Sequence, residues 1–292
     1  MIVNTAEDLE VSGLYVAPDL DTVTYTLAGI VNEETWYGIR GDTFACHELL
    51  GILGEKELLR IGDRDRAVKL RRTLLLRRGK TLSEATRELC KSLVVRANVM
   101  PMSDDRVQTR IETNAGTLGF HKFWVVRHGD DKVKGVSFKG IENAKPAPGV
   151  LNAIEKAKAI LIGPSNPVTS IGPILAIAEI REAIVQKRER VLAVSPIVGN
   201  SAISGPAGAL MQGLGYEVSP LGVARMYQGV VGTLVLDRGD EGHARAVQAL
   251  GINTAFADLL MPNLSSRIGL AREVLSLAGV RRGVVARGSN EE

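Results

Sequence analysis

The chain has 292 residues, of which 45% are hydrophobic, and its formal net charge at pH 7 is +3. This apolar content is sufficient for a large core and excludes a disordered or fibrous protein. So small a net charge does not indicate general nucleic-acid binding. The two cysteines, Cys46 and Cys90, form no CxxC pair, so neither a zinc site nor a disulfide framework is indicated.

Neither a leader peptide nor a membrane span is indicated. The first ten residues carry acids where a signal peptide has basic residues. Two long uncharged windows, 159–178 and 191–216, are interrupted by Pro, Gly, Ser and Asn, which is typical of loops and not of membrane helices. We therefore expect a soluble, cytoplasmic protein that binds neither membranes nor nucleic acids.

The N-terminal part predicts a strand end at residues 2–4, an acidic loop, and a polar cluster at residues 18–22 in which Asp19 and Asp21 flank one leucine. Carboxylates at positions i and i+2 diverge on a helix, but in a loop they can converge on Mg²⁺. The alternative is that one of these aspartates caps a helix with Thr22 in its first turn. The spacing alone leaves both interpretations open.

In the middle of the chain the spacing of the apolar residues changes twice. Residues 46–95 have helical spacing, interrupted at 61–66 by alternating charges that start a new helix. Basic residues outnumber acids over 56–96, which indicates either a solvated helical surface or a rim that attracts a polyanionic substrate. Residues 106–126 then alternate as a hairpin, and 133–138 add a third strand.

An aromatic pair, Trp36 and Tyr37, lies just before the sequence Gly-Asp-Thr at 41–43. Aromatic side chains can stack on a flat ring, although packing in a core is their more common role.

Residues 159–180 combine a short apolar strand, a loop rich in Gly, Pro, Ser and Asn, and a helix that we expect to begin at Pro173. Free N–H groups in such a loop and at the start of the helix can bind an anion, and glycine lets a phosphate approach the backbone. The alternative is an ordinary tight turn between a strand and a helix.

The remaining chain alternates regularly, with strands at 191–194 and 231–236 and helices at 242–250 and 264–277, and it ends in a tail at 287–292 that we expect to be disordered. This alternation predicts one α/β domain over 1–292, a Rossmann-like parallel sheet with helices on both faces, with a helical and hairpin insertion at about 45–140. Ligands of such sheets bind beyond the carboxyl ends of the strands, so the loops at Gly163 and Gly199 should face one cleft. No GxxxxGK[ST], GxGxxG or GxSxG motif is present.

Several motifs resemble one family jointly and in order. They are GPSNPVTSIGP at 163–173, NTAEDL at 4–9, PDLDTV at 18–23, DTF at 42–44, GDRD at 62–65, PMSDD at 101–105, SPIVGN at 195–200 and SGPAG at 204–208. Together they resemble the 2-phospho-L-lactate transferases of coenzyme F420 biosynthesis. Members of that family usually begin with an additional strand, a glycine-rich loop and a helix before the NTAEDL-like segment, so this chain looks short at its N-terminus.

The resemblance implies a Mg²⁺-dependent homodimeric transferase that moves a 2-phospholactyl or phosphoenolpyruvyl group from a guanosine diphosphate-linked donor to the deazaflavin Fo. GMP and F420-0, or its dehydro form, would be the products. The resemblance also implies the site residues. We expect Asp21 and Asp63 to be catalytic, with Asp21 also the metal ligand, and the following residues to bind substrate: Asp19, Thr22, Asp42, Thr43, Arg60, Arg64, Ser165, Asn166, Ser170, Gly199, Asn200, Ser204 and Gly205. The alternative is a nucleotide-sugar-binding regulator of the related gluconeogenesis-factor family, without group transfer.

Overall fold

The computed structural model describes residues 1–280, and the predicted tail at 287–292 lies outside them. The strands are β1 (Ile2–Val3), β2 (Leu9–Val11), β3 (Leu14–Val16), β4 (Met100–Pro101), β5 (Gln108–Thr113), β6 (Gly116–Gly119), β7 (Val133–Lys139), β8 (Ile160–Ile162), β9 (Val191–Val194), β10 (Ile197–Val198), β11 (Ser201–Ala202), β12 (Thr233–Asp237) and β13 (Asn253–Ala257). The helices are α1 (Pro18–Leu27), α2 (Ala45–Ile52), α3 (Asp63–Arg77), α4 (Leu82–Ser92), α5 (Val150–Lys156), α6 (Ile171–Ala176), α7 (Ala178–Val185), α8 (Ala207–Gly213), α9 (Pro220–Met226), α10 (Ala244–Ala249) and α11 (Leu264–Leu277).

A parallel sheet in the order β13-β12-β9-β8 forms the centre of the C-terminal half. All four residues of β9 are buried, as expected of a strand covered on both faces. Along β12, Leu234 and Leu236 belong to the largest hydrophobic cluster, while Val235 packs with Leu270 and Val274 of α11. Because side chains alternate across a strand, this division places helices on both faces, and the predicted α/β class is confirmed.

The N-terminal part is built from small pieces. The parallel pair of β1 with β4 is tied to α1 and α4 by a cluster that includes Leu20, Leu82 and Cys90. Strands β2 and β3 form a hairpin that the sequence patterns did not predict. Its two turn residues, Ser12 and Gly13, have φ of 48° and 74°, the left-handed values that the tightest hairpin turns require.

The predicted hairpin and third strand are present as the antiparallel sheet β6-β5-β7. The returning strand is shorter than predicted. Phe123 and Trp124 were expected in it, but they lie in a helical turn at Lys122–Val126. The Phe123 side chain is fully buried there, so packing into the main core outweighs the local preference of these residues for a strand.

The helix after β8 begins at Ile171, two residues before the predicted start at Pro173, and it is interrupted at Ile177, whose ψ of 112° is extended. Gly172 lies in a tight environment, because a Cβ there would lie 3.2 Å from the Phe138 ring and 3.3 Å from the carbonyl oxygen of Pro167. No helix within residues 1–280 has both the length and the hydrophobicity needed to cross a membrane.

Candidate functional site

A cleft with a volume of about 1170 Å³ lies between the N-terminal segment, the start of α1, the loop after β8 and the loop before α8. The two glycine-containing loops therefore share one cleft, although the second contributes through residues 203–207 and not through Gly199. The predicted site residues that line the cleft are Asp19, Thr22, Ser165, Asn166, Ser170, Ser204 and Gly205.

Asn166 organises the loop after β8. Its side-chain oxygen accepts the N–H groups of Val168 and Thr169 at 2.9 and 3.3 Å, and its carbonyl oxygen accepts that of Ser170 at 3.1 Å. The N–H of Ser165 is also used internally, by the carbonyl oxygen of Gly163 at 2.7 Å. The loop therefore offers a ligand chiefly its hydroxyl groups and the Asn166 amide N–H₂, and fewer backbone donors than we expected.

Asn4 connects the N-terminal segment to both sides of the cleft. Its Nδ2 donates to Asp19 Oδ2 at 2.9 Å and to the carbonyl oxygen of Thr169 at 3.2 Å, while its Oδ1 accepts the N–H of Ala6 at 2.9 Å. The sequence interpretation did not assign Asn4 to the site. A polar residue directly after a strand, here β1, was the signal that could have identified it.

Glu7 is a second cleft residue that sequence reasoning missed. The residue is only 7% exposed, and its Oε1 has no hydrogen-bond partner among the described residues. The Oγ1 of Thr169, which also lines the cleft, is buried as well and makes no hydrogen bond of good geometry among the described residues, but it lies close enough to Glu7 to lower the pKa of that carboxyl. Burial, reinforced by the nearby charge of Asp19, raises the pKa of Glu7 well above its usual value. Burial also raises the pKa of Asp19, against the lowering effect of the Asn4 hydrogen bond.

The charge balance of the cleft is one-sided. Among the described residues that line it, two are carboxylates, Glu7 and Asp19, and none is Lys, Arg or His. Within residues 1–280, no group of three or more His, Cys, Asp or Glu side chains is arranged to hold a metal by itself. Mg²⁺ commonly binds through one or two carboxylates and completes its shell with water and substrate phosphates. The donors present, Glu7, Asp19 and the hydroxyl of Thr169, fit that mode of binding.

Asp21 points away from the cleft. It forms a two-pronged ion pair with Arg72 of α3, and Lys69 lies 3.1 Å from its Oδ2. Burial alone would raise the pKa of Asp21, but the charges of Arg72 and Lys69 hold it below its usual value. Asp19 and Asp21 occupy the first turn of α1, where side chains two residues apart diverge. Asp19 thus occupies the position in the cleft that the sequence interpretation gave to Asp21.

Asp63 is placed at the start of a helix instead of in the cleft. Its carboxylate accepts the Thr43 hydroxyl at 2.6 Å and the N–H groups of Ala45 and Cys46 at 3.0 and 2.9 Å, at the beginning of α2. These hydrogen bonds, the one from Thr43 first, lower the pKa of Asp63. The geometry is that of a helix cap, so Thr43 and Asp63 are brought together, but they do not line the cleft.

Asp42 has the matching role for α3. Its oxygens accept the N–H groups of Arg64 and Asp65 at 2.8 and 2.9 Å, and a Cβ on the intervening Gly62 would clash with its carboxylate. Arg60 stacks on the ring of Phe44 at 3.9 Å. The group Asp42, Thr43, Arg60, Asp63 and Arg64 is therefore a helix-start assembly, and none of its members lines the cleft.

Two more predicted residues lie outside the cleft. The N–H of Gly199 donates to both carboxylate oxygens of Asp240 at 3.0 Å, so it is not directed at a ligand. Asn200 lines a shallow depression on the other side of Gly205 and Pro206. The basic residues of α3 also have local partners: Arg66 pairs with Glu57 at 2.6 Å, which favours a structural role over a substrate-attracting rim.

The sequence model of the family described as 2-phospho-L-lactate transferase CofD matches residues 1–255. Curated proteins named 2-phospho-L-lactate transferase are similar over nearly the whole chain. The protein of Methanopyrus kandleri is 49% identical over 281 residues, covering 95% of this chain and 89% of its own. That of Methanosarcina acetivorans is 46% identical, covering 95% and 90%, and that of Methanococcus maripaludis is 45% identical, covering 94% and 89%.

Among solved structures, the crystal structure of a UPF0052-family protein from Bacillus halodurans has a TM-score of 0.61 against this chain. It is 18% identical, with 92% of this chain and 89% of that chain covered. That likeness concerns the fold alone. The family match and the identities of 45–49%, by contrast, show that the chain belongs to the 2-phospho-L-lactate transferase (CofD) family, a family of transferases.

Proposed function

We propose that the chain acts in coenzyme F420 biosynthesis by transferring a 2-phospholactyl or phosphoenolpyruvyl group from a guanosine diphosphate-linked donor to the deazaflavin Fo. The primary hydroxyl of Fo forms a new bond to the phosphorus that carries the acyl unit. The bond from that phosphorus to the bridging oxygen breaks, and GMP leaves. The products are F420-0, or its dehydro form, and GMP. Family membership supports the transfer, and the cleft supports the phosphate chemistry.

The observation that carries the proposal is the pair of carboxylates in the cleft, Glu7 buried and Asp19 half-buried, together with the polar loop after β8. A diphosphate needs charge neutralisation, and phosphoryl transfer depends on it more than on a protein nucleophile. Two carboxylates would repel a diphosphate on their own, but with a divalent cation between them and the phosphates the charges are complementary. Mg²⁺ is accordingly the cofactor that we propose.

Asp19 and the Thr169 hydroxyl are the groups of the chain that would hold Mg²⁺, which when bound would neutralise charge developing on the phosphate oxygens. Asn4 orients Asp19 through its 2.9 Å hydrogen bond. Ser165, Ser170 and the Asn166 amide provide neutral donors for the phosphates from the opposite loop.

We propose Glu7, the second carboxylate of the cleft, as the group that accepts the proton that the Fo hydroxyl loses. A carboxylate whose pKa is raised by burial is a stronger base than an exposed one, and a catalytic base works best when its pKa approaches the operating pH. This assignment replaces Asp21 and Asp63, because Asp21 is paired with Arg72 and Asp63 caps α2.

Mass spectrometry of GMP and F420-0 formation tests the function, using the purified chain with Fo, the lactyl donor and Mg²⁺. For Asp19→Asn we expect product formation to fall by roughly 10²-fold or more, because one charge at the phosphates is lost. Asp63→Asn is the matched comparison, because it makes the same change at a carboxylate outside the cleft. Asn keeps one of the two oxygens that accept N–H groups of α2, so we expect lower stability with near-normal turnover. Normal turnover in Asp19→Asn with loss in Asp63→Asn would contradict the site described here.

The alternative, a regulator that binds a nucleotide sugar without transfer, predicts a different result. Such a protein has no reason to bind a deazaflavin. Calorimetry with Fo and with a nucleotide sugar distinguishes the two functions, and binding of the sugar nucleotide alone, with no product from the lactyl donor, would favour the regulator.

We also propose a homodimer, as the resemblance implies. Helix α2 buries none of its residues, and Leu49, Ile52 and Leu53 are 55%, 80% and 71% exposed. A second copy is the proposed cover for this apolar face. Light scattering gives the mass in solution, and a monomer at micromolar concentration would refute the proposal.

A further inference from the structure

The segment between Gly29 and Gly41 forms an arm beside the cleft. Both end glycines have left-handed φ values, 71° and 63°, and a bridge between Val31 and Ile39 joins its two sides. Within the described chain, every hydrogen bond made by residues 29–40 stays inside the arm or goes to the last turns of α1. The hydrogen bonds of the arm thus attach it to the rest of the protein through the end of α1.

Trp36 lies at the tip of this arm in an unusual conformation. Its φ is 60°, a left-handed value that bulky residues rarely adopt because the side chain crowds the backbone. Such strain persists only where the surrounding structure determines it, and it is concentrated at functional sites. The side chain is not in a core, since it is 41% exposed and lines the cleft.

One face of the Trp36 indole is already covered. The guanidinium of Arg267, in the first turns of α11, lies 4.1 Å from the ring centre. Met261, just before α11, lines the same cleft. The contact therefore joins the arm to the opposite, C-terminal side of the cleft mouth. A guanidinium on one face holds the indole in place and leaves its other face available.

We propose that the free face of Trp36 is a binding surface for a planar aromatic ring of a substrate, and that Arg267 is the residue that positions the indole for it. This inference rests on the proposed function for the identity of the ring, which is either the deazaflavin of the acceptor or the guanine of the donor. Both rings would stack by the same chemistry, and each can be supplied separately, as Fo or as GMP. The phosphate-binding loop and the carboxylates then lie deeper in the cleft than this ring site.

The experiment uses the two tryptophans of the chain, Trp36 and Trp124. In Trp124→Phe the remaining tryptophan is Trp36, so the tryptophan fluorescence reports on it alone. We expect Fo or GMP to quench this fluorescence in a saturable manner. Calorimetry on Trp36→Leu should then show roughly tenfold weaker binding of the quenching ligand, the usual loss when one stacking aromatic is removed. Trp36→Phe keeps a flat face and should recover most of that affinity.

Arg267→Gln should weaken the same ligand several-fold, while Arg272→Gln, which removes the same charge from an exposed position on α11, should leave binding unchanged. Binding of both ligands within twofold of the parent in Trp36→Leu would overturn the proposal. Equal losses for both ligands with a lowered melting temperature would also overturn it, because they would indicate damage to the fold. If the parent forms product and Trp36→Leu binds Fo and GMP as tightly as the parent, this inference is refuted and the transferase function stands. If Trp36→Leu loses ring binding as expected but the parent forms no product, the transferase function is refuted and this inference stands.

Discussion

Glu7 is a buried carboxylate whose ionisation makes the stability of the protein depend on pH. Its folded pKa is raised, so the folded state holds a proton that the unfolded state releases at lower pH. Between the unfolded and the raised folded pKa the unfolded state binds fewer protons, and the stability of the protein falls as the pH rises. The buried carboxylate therefore destabilises the fold at high pH, where it is ionised.

Glu7→Gln removes the ionisable group and with it this destabilisation. We therefore expect the variant to be more stable than the parent at pH 8 without divalent cations, and the difference to shrink toward pH 5. Urea midpoints at the two pH values measure this, with exposed Glu10→Gln as the control. A variant less stable than the parent at pH 8 would show that Glu7 is held by interactions that its raised pKa does not reflect.

At the scale of elements, the Asp21–Arg72 pair joins α1 to α3 and keeps Asp19 turned toward the cleft. Arg72 is 2% exposed and Asp21 is 4% exposed, so neither charge is compensated by water. Removing Asp21 leaves Arg72 buried without its carboxylate partner, whereas removing both is much less costly, because Lys69 keeps its ion pair with Asp65.

For Asp21→Asn we expect a loss of about 3–5 kcal/mol of unfolding free energy. The double variant Asp21→Leu with Arg72→Leu should lose less than the single one. Because the folded pKa of Asp21 is lowered, its contribution is present above the unfolded pKa and is lost as the pH falls through the folded value. Chemical denaturation at neutral and acid pH measures both effects, and additive losses in the double variant would argue against a direct pair.

At the scale of the whole molecule, the cleft joins segments that are distant in the sequence. Its lining runs from Met1 to Met261, just before α11. A ligand held there contacts both the N-terminal part and the central-sheet part, so its binding energy should stabilise the assembled fold as a unit.

GMP with Mg²⁺ should therefore raise the melting temperature. At a hundredfold excess over the dissociation constant, linkage gives about 2.7 kcal/mol, which corresponds to roughly 4 °C for a chain of this size. Differential scanning calorimetry measures the shift, with CMP as the control nucleotide. Ser165→Ala should reduce the shift, and an equal response to CMP would contradict recognition of guanine.

Local patterns predicted much of this protein from the sequence. Helix α11 occupies the predicted range 264–277, and strands β8, β9 and β12 coincide with or overlap the apolar runs of the sequence. Polar loops after β8 and before α8 were predicted to share one cleft, because the carboxyl ends of parallel strands meet at one edge of the sheet. The hairpin β2–β3 was missed, since its strands are only three residues long and carry too little periodicity.

Only the tertiary structure decided which polar residues enter the cleft. Asp19 and Asp21 have the same chemistry and nearly the same position in the sequence, and the helical rotation between them sends one to the cleft and the other to Arg72. Asp42 and Asp63 were likewise predicted as site residues. In the structure their carboxylates accept N–H groups at the starts of α3 and α2, which lie side by side. A sequence determines the period of each element, but the side of an element that faces a ligand depends on what packs against its other side.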